Sequence, residues 1–173
     1  MVWRGETYGW SKHHEFLKFL DLPRRRPRQH FELSINIDDE ADRERLRAHG
    51  WEVTSPLAGS LDPWKYQAFF RTSRAEWTVA KDQNVRLRSG WFSERAACYL
   101  ATGKPVITQS TGFENVLPTG TGLFAFRDMD DIACAIDTIE SDYPAACRAA
   151  RAVAQEHLEA TRVCRKLLDD IGL

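Results

Sequence analysis

The residues best suited to bind an anion form a turn before a predicted helix. The turn is Ser89-Gly-Trp-Phe-Ser93, and Arg86 and Arg88 stand just before it. The first amides of a helix have no intrahelical partner and carry the positive end of the helix dipole, so they attract phosphate oxygens. Gly90 lets a ligand approach the backbone closely, and the guanidinium groups add charge-assisted hydrogen bonds. The turn therefore predicts a phosphate site; an ordinary capped helix with a tight entry turn is the alternative.

A second candidate loop follows the next predicted strand. It reads Gln109-Ser-Thr-Gly-Phe-Glu-Asn115. Thr111 and Gly112 can present backbone amides, and Glu114 can accept hydrogen bonds from sugar hydroxyls. Ligands of parallel α/β sheets bind beyond the carboxyl ends of the strands, so two such loops after successive strands indicate one shared crevice. Taken alone, the second loop is equally explained as a plain strand-to-helix connection.

Short strands and helices are predicted to alternate along most of the chain. Apolar and polar residues alternate over 31–37, Asp38 or Asp39 begins a charged helix that Gly50 ends, and Asp62-Pro63 begins another. Further strands are predicted at 51–54, 77–80, 105–108 and 122–126, and further helices at 93–102, 130–140 and 144–170. Such alternation is typical of βαβ units, so we expect an α/β fold with a mainly parallel, doubly wound sheet.

The two ends of the chain are predicted to differ from this pattern. Residues 1–30 are expected to be an irregular entry segment with one short helix, which Ser11 can cap and which runs through Leu20. Two prolines interrupt residues 23–28 and predict a loop. Residues 142–171 are expected to contain one long C-terminal helix that serves as a packing element.

The overall composition argues against several classes of protein. The 173 residues carry 24 basic and 25 acidic side chains, a balance that disfavours a nucleic-acid-binding protein. No apolar run reaches the ~20 residues of a membrane span and no signal peptide is recognisable, so we expect a cytoplasmic protein without a transmembrane segment. The four cysteines are expected to be reduced core residues, and His13-His14 lacks the further ligands that a metal site needs.

Three segments resemble one enzyme family. Arg88-Ser-Gly-Trp-Phe-Ser93 is similar to the His-Cys-Gly-Trp-Asn-Ser signature of nucleotide-sugar-dependent glycosyltransferases with the two-Rossmann (GT-B) fold. Tyr99-Leu-Ala-Thr-Gly-Lys-Pro-Val-Ile107 resembles the Ala-Met-Ala-x-Gly-x-Pro-Val-Ile segment of that superfamily. The stretch from Thr111 to Leu123 resembles its Gly-Gly-x-x-Glu-x-Val and Gly-x-Gly-Leu segments, in the same order. The resemblance implies that residues 1–173 form a single Rossmann-like domain, the donor-binding half of such an enzyme.

The resemblance also implies a role for each residue of the two turns. Arg88 takes the place of the signature histidine, which contacts the donor phosphates, and Ser11-Lys12 resembles the entry of members whose lysine reaches the diphosphate. Catalytic roles are therefore implied for Arg88, Lys12 and Glu114. Donor-binding roles are implied for the other residues of the turns: Ser89, Gly90, Trp91, Ser93, Glu94, Thr111, Gly112 and Phe113. Glu94 is assigned to the ribose, because Cys98 occupies the position of the usual ribose-binding glutamate.

The same resemblance implies what the domain works with. The expected donor is a nucleotide-diphosphate sugar such as a UDP- or GDP-sugar, with neither cofactor nor metal. The acceptor is expected to bind a second Rossmann domain, so we expect a partial gene product or one half of a split enzyme, with little or no turnover alone. A non-catalytic nucleotide-binding or scaffold module, and half of a sugar-nucleotide epimerase, are the alternatives.

Overall fold

The computed structural model describes residues 2–37 and 39–173, and these form a mixed α/β chain. The entry segment is more regular than predicted. It contains a two-stranded antiparallel hairpin and two short helices: β1 (Val2–Trp3), β2 (Glu6–Thr7), α1 (His13–Leu17) and α2 (Leu22–Arg25). Arg4 and Gly5 both have positive φ, as a two-residue hairpin turn requires. Pro23 lies in the first turn of α2, where its missing N–H costs nothing, so the loop predicted over 23–28 is wrong for 23–25 and confirmed for 26–28.

The next part of the chain is a parallel strand pair with one connecting helix. Its elements are β3 (Glu32–Ser34), α3 (Glu40–Ala48) and β4 (Glu52–Thr54), with Leu33 opposite Val53. Asp39 caps α3, as predicted, because its carboxylate accepts a hydrogen bond from the Ala41 amide. The other proposed cap, Asp38, lies outside the described residues.

A second, three-stranded parallel sheet follows and carries both predicted turns. The elements in order are α4 (Leu57–Ser60), α5 (Pro63–Thr72), β5 (Glu76–Thr78), α6 (Asp82–Arg86), α7 (Glu94–Ala101), β6 (Val106–Gln109), a 3-10 turn (Phe113–Asn115) and β7 (Leu123–Phe126). The strand order is β5-β6-β7. As predicted, Asp62 caps α5, with Pro63 in its first turn. The expectation of an α/β chain with parallel strands is therefore confirmed.

Three helices complete the chain: α8 (Met129–Ser141), α9 (Tyr143–His157) and α10 (Ala160–Asp170). The single long C-terminal helix predicted over 144–170 is thus two helices. Glu159 has an extended backbone conformation, and its carboxylate accepts hydrogen bonds from the amides of Thr161 and Arg162. This N-cap ends one helix and begins the next.

Helices cover both faces of the three-stranded sheet. Along β6 and β7 successive side chains point to opposite faces, so Ile107 joins one hydrophobic cluster while Val106 joins the other. The α8 side chains Ile132, Ile136 and Ile139 belong to the first cluster. On the other face α9 lies so close to Gly122 that an added Cβ would clash with the Ala150 backbone nitrogen.

The two parallel sheets are joined by side chains. Within the described residues, strand pairing links β3 to β4 and β5 through β7, with no pairing between the two groups. Trp51, which precedes β4, packs against Trp77 of β5 with ring centroids 5.4 Å apart. Phe16 of α1 contacts both indoles, so aromatic packing holds the sheets together.

The cysteines differ from expectation. All four are free thiols on helices, but Cys98, Cys134 and Cys164 are exposed and Cys147 is half-buried, so none is a core residue. Each occupies a solvent-facing or boundary position of an amphipathic helix. No helix in the described residues is both long enough and apolar enough to cross a membrane.

Candidate functional site

The two predicted turns meet at the carboxyl ends of β5 and β6. The Gly90 amide donates a hydrogen bond to the Thr111 carbonyl at 2.8 Å, and the Thr111 hydroxyl donates to the Trp91 carbonyl at 2.6 Å. Gly112 has φ +98°, and a Cβ there would lie 3.1 Å from the Arg88 carbonyl oxygen. The turns are therefore one hydrogen-bonded unit with close backbone contact.

Arg88 is held by the second turn. Its guanidinium donates to Ser110 Oγ at 3.2 Å and to Glu114 Oε1 at 2.7 Å. The Ser110 hydroxyl also donates to Glu114 at 2.5 Å, and the Gly112 amide donates to its other oxygen at 3.1 Å. Partial burial acts to raise the pKa of Glu114, but hydrogen bonds from Ser110, from its own amide and from Arg88 hold that pKa below its ordinary value. Glu114 is therefore an anion that neutralises Arg88, and a phosphate on Arg88 must compete with it.

The first turn of α7 has amides available for an anion. Ser93 occupies the N-cap position, but its side chain makes no capping hydrogen bond. The first amides of a helix have no intrahelical acceptor. Ser89 is occupied elsewhere, since its hydroxyl donates to Asn84 Oδ1 at 3.1 Å. The exposed Gly90 lies at the entrance to this turn.

Two cations converge on one hydroxyl beside this helix. Lys12 Nζ donates to Thr78 Oγ1 at 3.2 Å, and Arg95 Nη2 donates to the same oxygen at 2.9 Å. Arg95 also donates to the buried Glu76 at 2.6 Å. Lys12 Nζ lies 5.1 Å from the centre of the Trp91 ring, which connects this cluster to the first turn. We call Lys12, Glu76, Thr78 and Arg95 the polar cluster.

The polar cluster carries more positive charge than its one carboxylate balances. Burial, and then the charge of Arg95, lower the pKa of Lys12 to about 8, although Glu76 acts in the opposite direction. Burial raises the pKa of Glu76, against the opposing effect of Arg95. Glu76 Oε2 is buried and has no hydrogen-bond partner in the described part of the chain. An anion beside Lys12 and Arg95 would offset the cost of burying two cations together.

A cavity of about 1500 Å³ opens between the two parallel sheets. The whole polar cluster lines it, together with Tyr66 and Tyr99. Among the residues singled out from the sequence, Lys12 is a lining residue; the two turns lie beside the cavity rather than in its wall.

The structure places the remaining predicted residues in two groups. Thr111 is fully buried and Phe113 is 3% exposed, packed on Phe92 with ring centroids 5.2 Å apart. In this arrangement a ligand cannot contact Thr111, and Phe113 offers it almost no surface. Glu94 is exposed at the start of α7, on the solvent side of the turn.

No model of a known protein family matches the chain, and a search of curated proteins finds no significant match. The described residues contain no group of three or more His, Cys, Asp or Glu side chains placed to hold a metal ion.

Sequence reasoning missed three members of the polar cluster. Arg95 lies two residues after the predicted N-cap, in the first turn of the helix that begins at the candidate anion site. A cation at that position could have been recognised from the sequence as a further site residue. Glu76 begins a strand predicted only from Trp77 onward, and Thr78 reads as an ordinary strand residue. Lys12 lies 66 residues before Thr78 in the sequence, so its contact with the other cluster residues has no local signature.

Proposed function

We propose that this chain binds the diphosphate of a nucleotide-sugar donor for glycosyl transfer. The observation that carries the proposal is the hydrogen-bonded junction of the two turns beside a pair of partly buried cations, Lys12 and Arg95. Backbone amides, a positive helix end and fixed cations are the groups that bind phosphate in proteins.

The diphosphate would lie across the first turn of α7. The open amides after Ser93 would bind one phosphate, and Lys12 and Arg95 would approach it from the cavity side. Arg88 would join from the rim once it exchanges Glu114 for a phosphate oxygen. As the bond between sugar and diphosphate breaks, negative charge develops on the leaving group, and these preorganised donors would stabilise it.

The neighbouring cavity has room for the rest of the donor. Ligand sites for small molecules are typically about 300–1,000 Å³, and the cavity between the sheets exceeds that range at about 1500 Å³. Tyr66 and Tyr99 in its wall can contact a base, and polar side chains can bind hydroxyls. The polar cluster lies between the first turn of α7 and this cavity.

The fold supports a Rossmann-like donor-binding domain. Its strands are parallel apart from the entry hairpin, helices cover both faces of the three-stranded sheet, and the turns lie at the carboxyl edge where such sheets bind ligands. The acceptor, and the general base of an inverting reaction, would come from a second domain or polypeptide. Four free cysteines fit a reducing compartment such as the cytoplasm.

Calorimetric titration with UDP, GDP and dTDP tests the proposal, with the matching nucleosides as controls. We expect at least one diphosphate to bind, and its nucleoside to bind much more weakly, because the diphosphate contributes the charged contacts. The half-buried Trp91 provides a second readout through its fluorescence. If none of the three nucleotides binds at millimolar concentration, the donor-binding function is wrong and a scaffold role is favoured.

A further inference from the structure

The last helix, α10, projects from the rest of the protein with an uncovered apolar face. Every residue from 159 to 173 is exposed, and the helix contributes no buried side chain to either hydrophobic cluster. Five apolar side chains along the helix and just beyond its end are between 45% and 81% exposed: Val163, Leu167, Leu168, Ile171 and Leu173.

An uncovered helix of this length is not stable by itself. Isolated helices shorter than about 12–15 residues are marginal in water, and helices in proteins owe their stability mainly to packing of an apolar face. α10 has 11 residues and packs little of that face on its own chain. A contact with another surface is therefore needed to hold it as a helix.

The charges beside the apolar face indicate what that surface is. At 100° per residue, Val163, Cys164, Leu167 and Ile171 share one face, and both Lys166 and Asp170 flank it on the same side. In an antiparallel pair of identical helices, residues on the same flank face each other. Lys166 of one copy then lies opposite Asp170 of the other, and the contact occurs twice by symmetry. In a parallel pair, Lys166 would instead approach the opposite flank, where Arg165 repels it.

We propose that α10 is a self-association surface, through which two copies of this chain pair in antiparallel orientation. A two-fold axis between Leu167 and Leu168 sets these two leucines against each other and Cys164 against Ile171. It also brings Lys166 to within one residue, about 1.5 Å, of the level of Asp170 of the other copy, which the long lysine side chain can span. One short helix per copy buries less than the roughly 1,200 Å² of a standard interface. The association is accordingly a weak, concentration-dependent equilibrium between monomer and dimer.

Sedimentation equilibrium of the full chain over a range of concentrations tests the self-association. We expect a dimer that Leu167→Asp abolishes. Because α10 adds nothing to the core, this variant keeps the unfolding transition of the parent protein, which separates lost pairing from lost folding. A chain that stays monomeric up to millimolar concentration overturns the proposal and leaves the face to a different protein.

Charge reversal tests the orientation. Lys166→Glu and Asp170→Lys should each weaken dimerisation about three- to tenfold, since two ion pairs are replaced by two repulsions, and the double variant should restore it. Asp169→Lys is the matched control, because Asp169 points away from the apolar face. If the double variant is no better than the singles, the antiparallel register is wrong.

A disulfide trap tests the register directly. In a Cys98→Ser, Cys134→Ser background, Ile171→Cys should give a covalent dimer on mild oxidation, through Cys164 of the other copy. Asp169→Cys in the same background should not. Equal trapping at both positions would show random collision rather than a defined pair.

Discussion

Lys12 offers the most direct test of the site, because its charge titrates in an accessible pH range. With a pKa of about 8, its ammonium form falls from about 90% at pH 7 to about 10% at pH 9. If only that form binds phosphate, the affinity for the best-binding nucleoside diphosphate should fall about tenfold between these pH values. Replacing Lys12 by Met removes a charged hydrogen bond, so we expect roughly 10- to 150-fold weaker binding at pH 7, from about 1.5–3 kcal/mol.

The measurement is calorimetric titration of both proteins from pH 7 to pH 9. Subtracting one pH profile from the other removes the effect of ligand titration, which is the same for both proteins. The affinity of Lys12→Met should itself change little with pH. Lys104→Met is the control, because Lys104 precedes β6 at the opposite edge of the sheet. If Lys12→Met binds the diphosphate as tightly as the parent protein at pH 7, the assignment of Lys12 to the phosphate is refuted.

The same substitution should have the opposite effect on stability. The folded-state pKa of Lys12 lies below the ordinary lysine pKa of 10.5, so the unfolded chain binds the proton more tightly. The free energy of unfolding should therefore rise with pH between about 8 and 10.5. At pH 7 the buried ammonium opposes folding, so Lys12→Met should stabilise the unliganded protein. The gain in the free energy of unfolding is at most about 3 kcal/mol, and solvent screening of the partly exposed ammonium reduces it. Urea unfolding at pH 7 measures this, and a destabilised variant would contradict the reasoning.

Three further substitutions test the junction of the turns. Glu114→Gln should lower the free energy of unfolding at pH 7 by about 0.5–1.5 kcal/mol. Because the Glu114 pKa is depressed, the parent protein should lose this stabilisation as pH falls below about 4.5. The variant has no carboxylate there, so the difference in stability between the two proteins should shrink in acid; a constant difference would contradict the assignment. Thr111→Val removes the hydrogen bond to the Trp91 carbonyl and should lower the free energy of unfolding in urea by about 1–3 kcal/mol; an unchanged midpoint would show that this bond does not stabilise the junction of the turns. Gly112→Ala should destabilise by about 1–3 kcal/mol more than Gly120→Ala, because both positions have positive φ but only the first brings a Cβ to 3.1 Å from backbone; equal losses would show that Arg88 moves freely.

The sequence was most informative where the physical cause is local. Asp39 and Asp62 cap helices with their own side chains, so the starts of α3 and α5 could be read from a few residues. The meeting of the turns followed from a general rule, since the carboxyl ends of neighbouring parallel strands lie at one edge. The break at Glu159 is also local, but a glutamate is seldom an N-cap, so nothing marked it.

What could not be predicted depends on tertiary contacts. The pairing of Arg88 with Glu114 reverses the expected role of the carboxylate, from binding a ligand to holding an arginine, and it depends on how the two turns lie. The exposure of the cysteines depends on which helix faces are covered. The polar cluster likewise exists because α1 brings Lys12 to the edge of β5.

The division between the two strand groups has a mechanical consequence. Because tilted aromatic contacts rather than a shared ladder of amides join them, β3 and β4 can tilt away from β5 without breaking hydrogen bonds between strands. A ligand as large as a nucleotide could enter if Trp51 shifts along Trp77, a motion that costs van der Waals contact and the buried hydrogen bond from Trp51 Nε1 to the Leu20 carbonyl oxygen. Hydrogen exchange should then be faster at β3 than at β6, which is held by ladders on both sides.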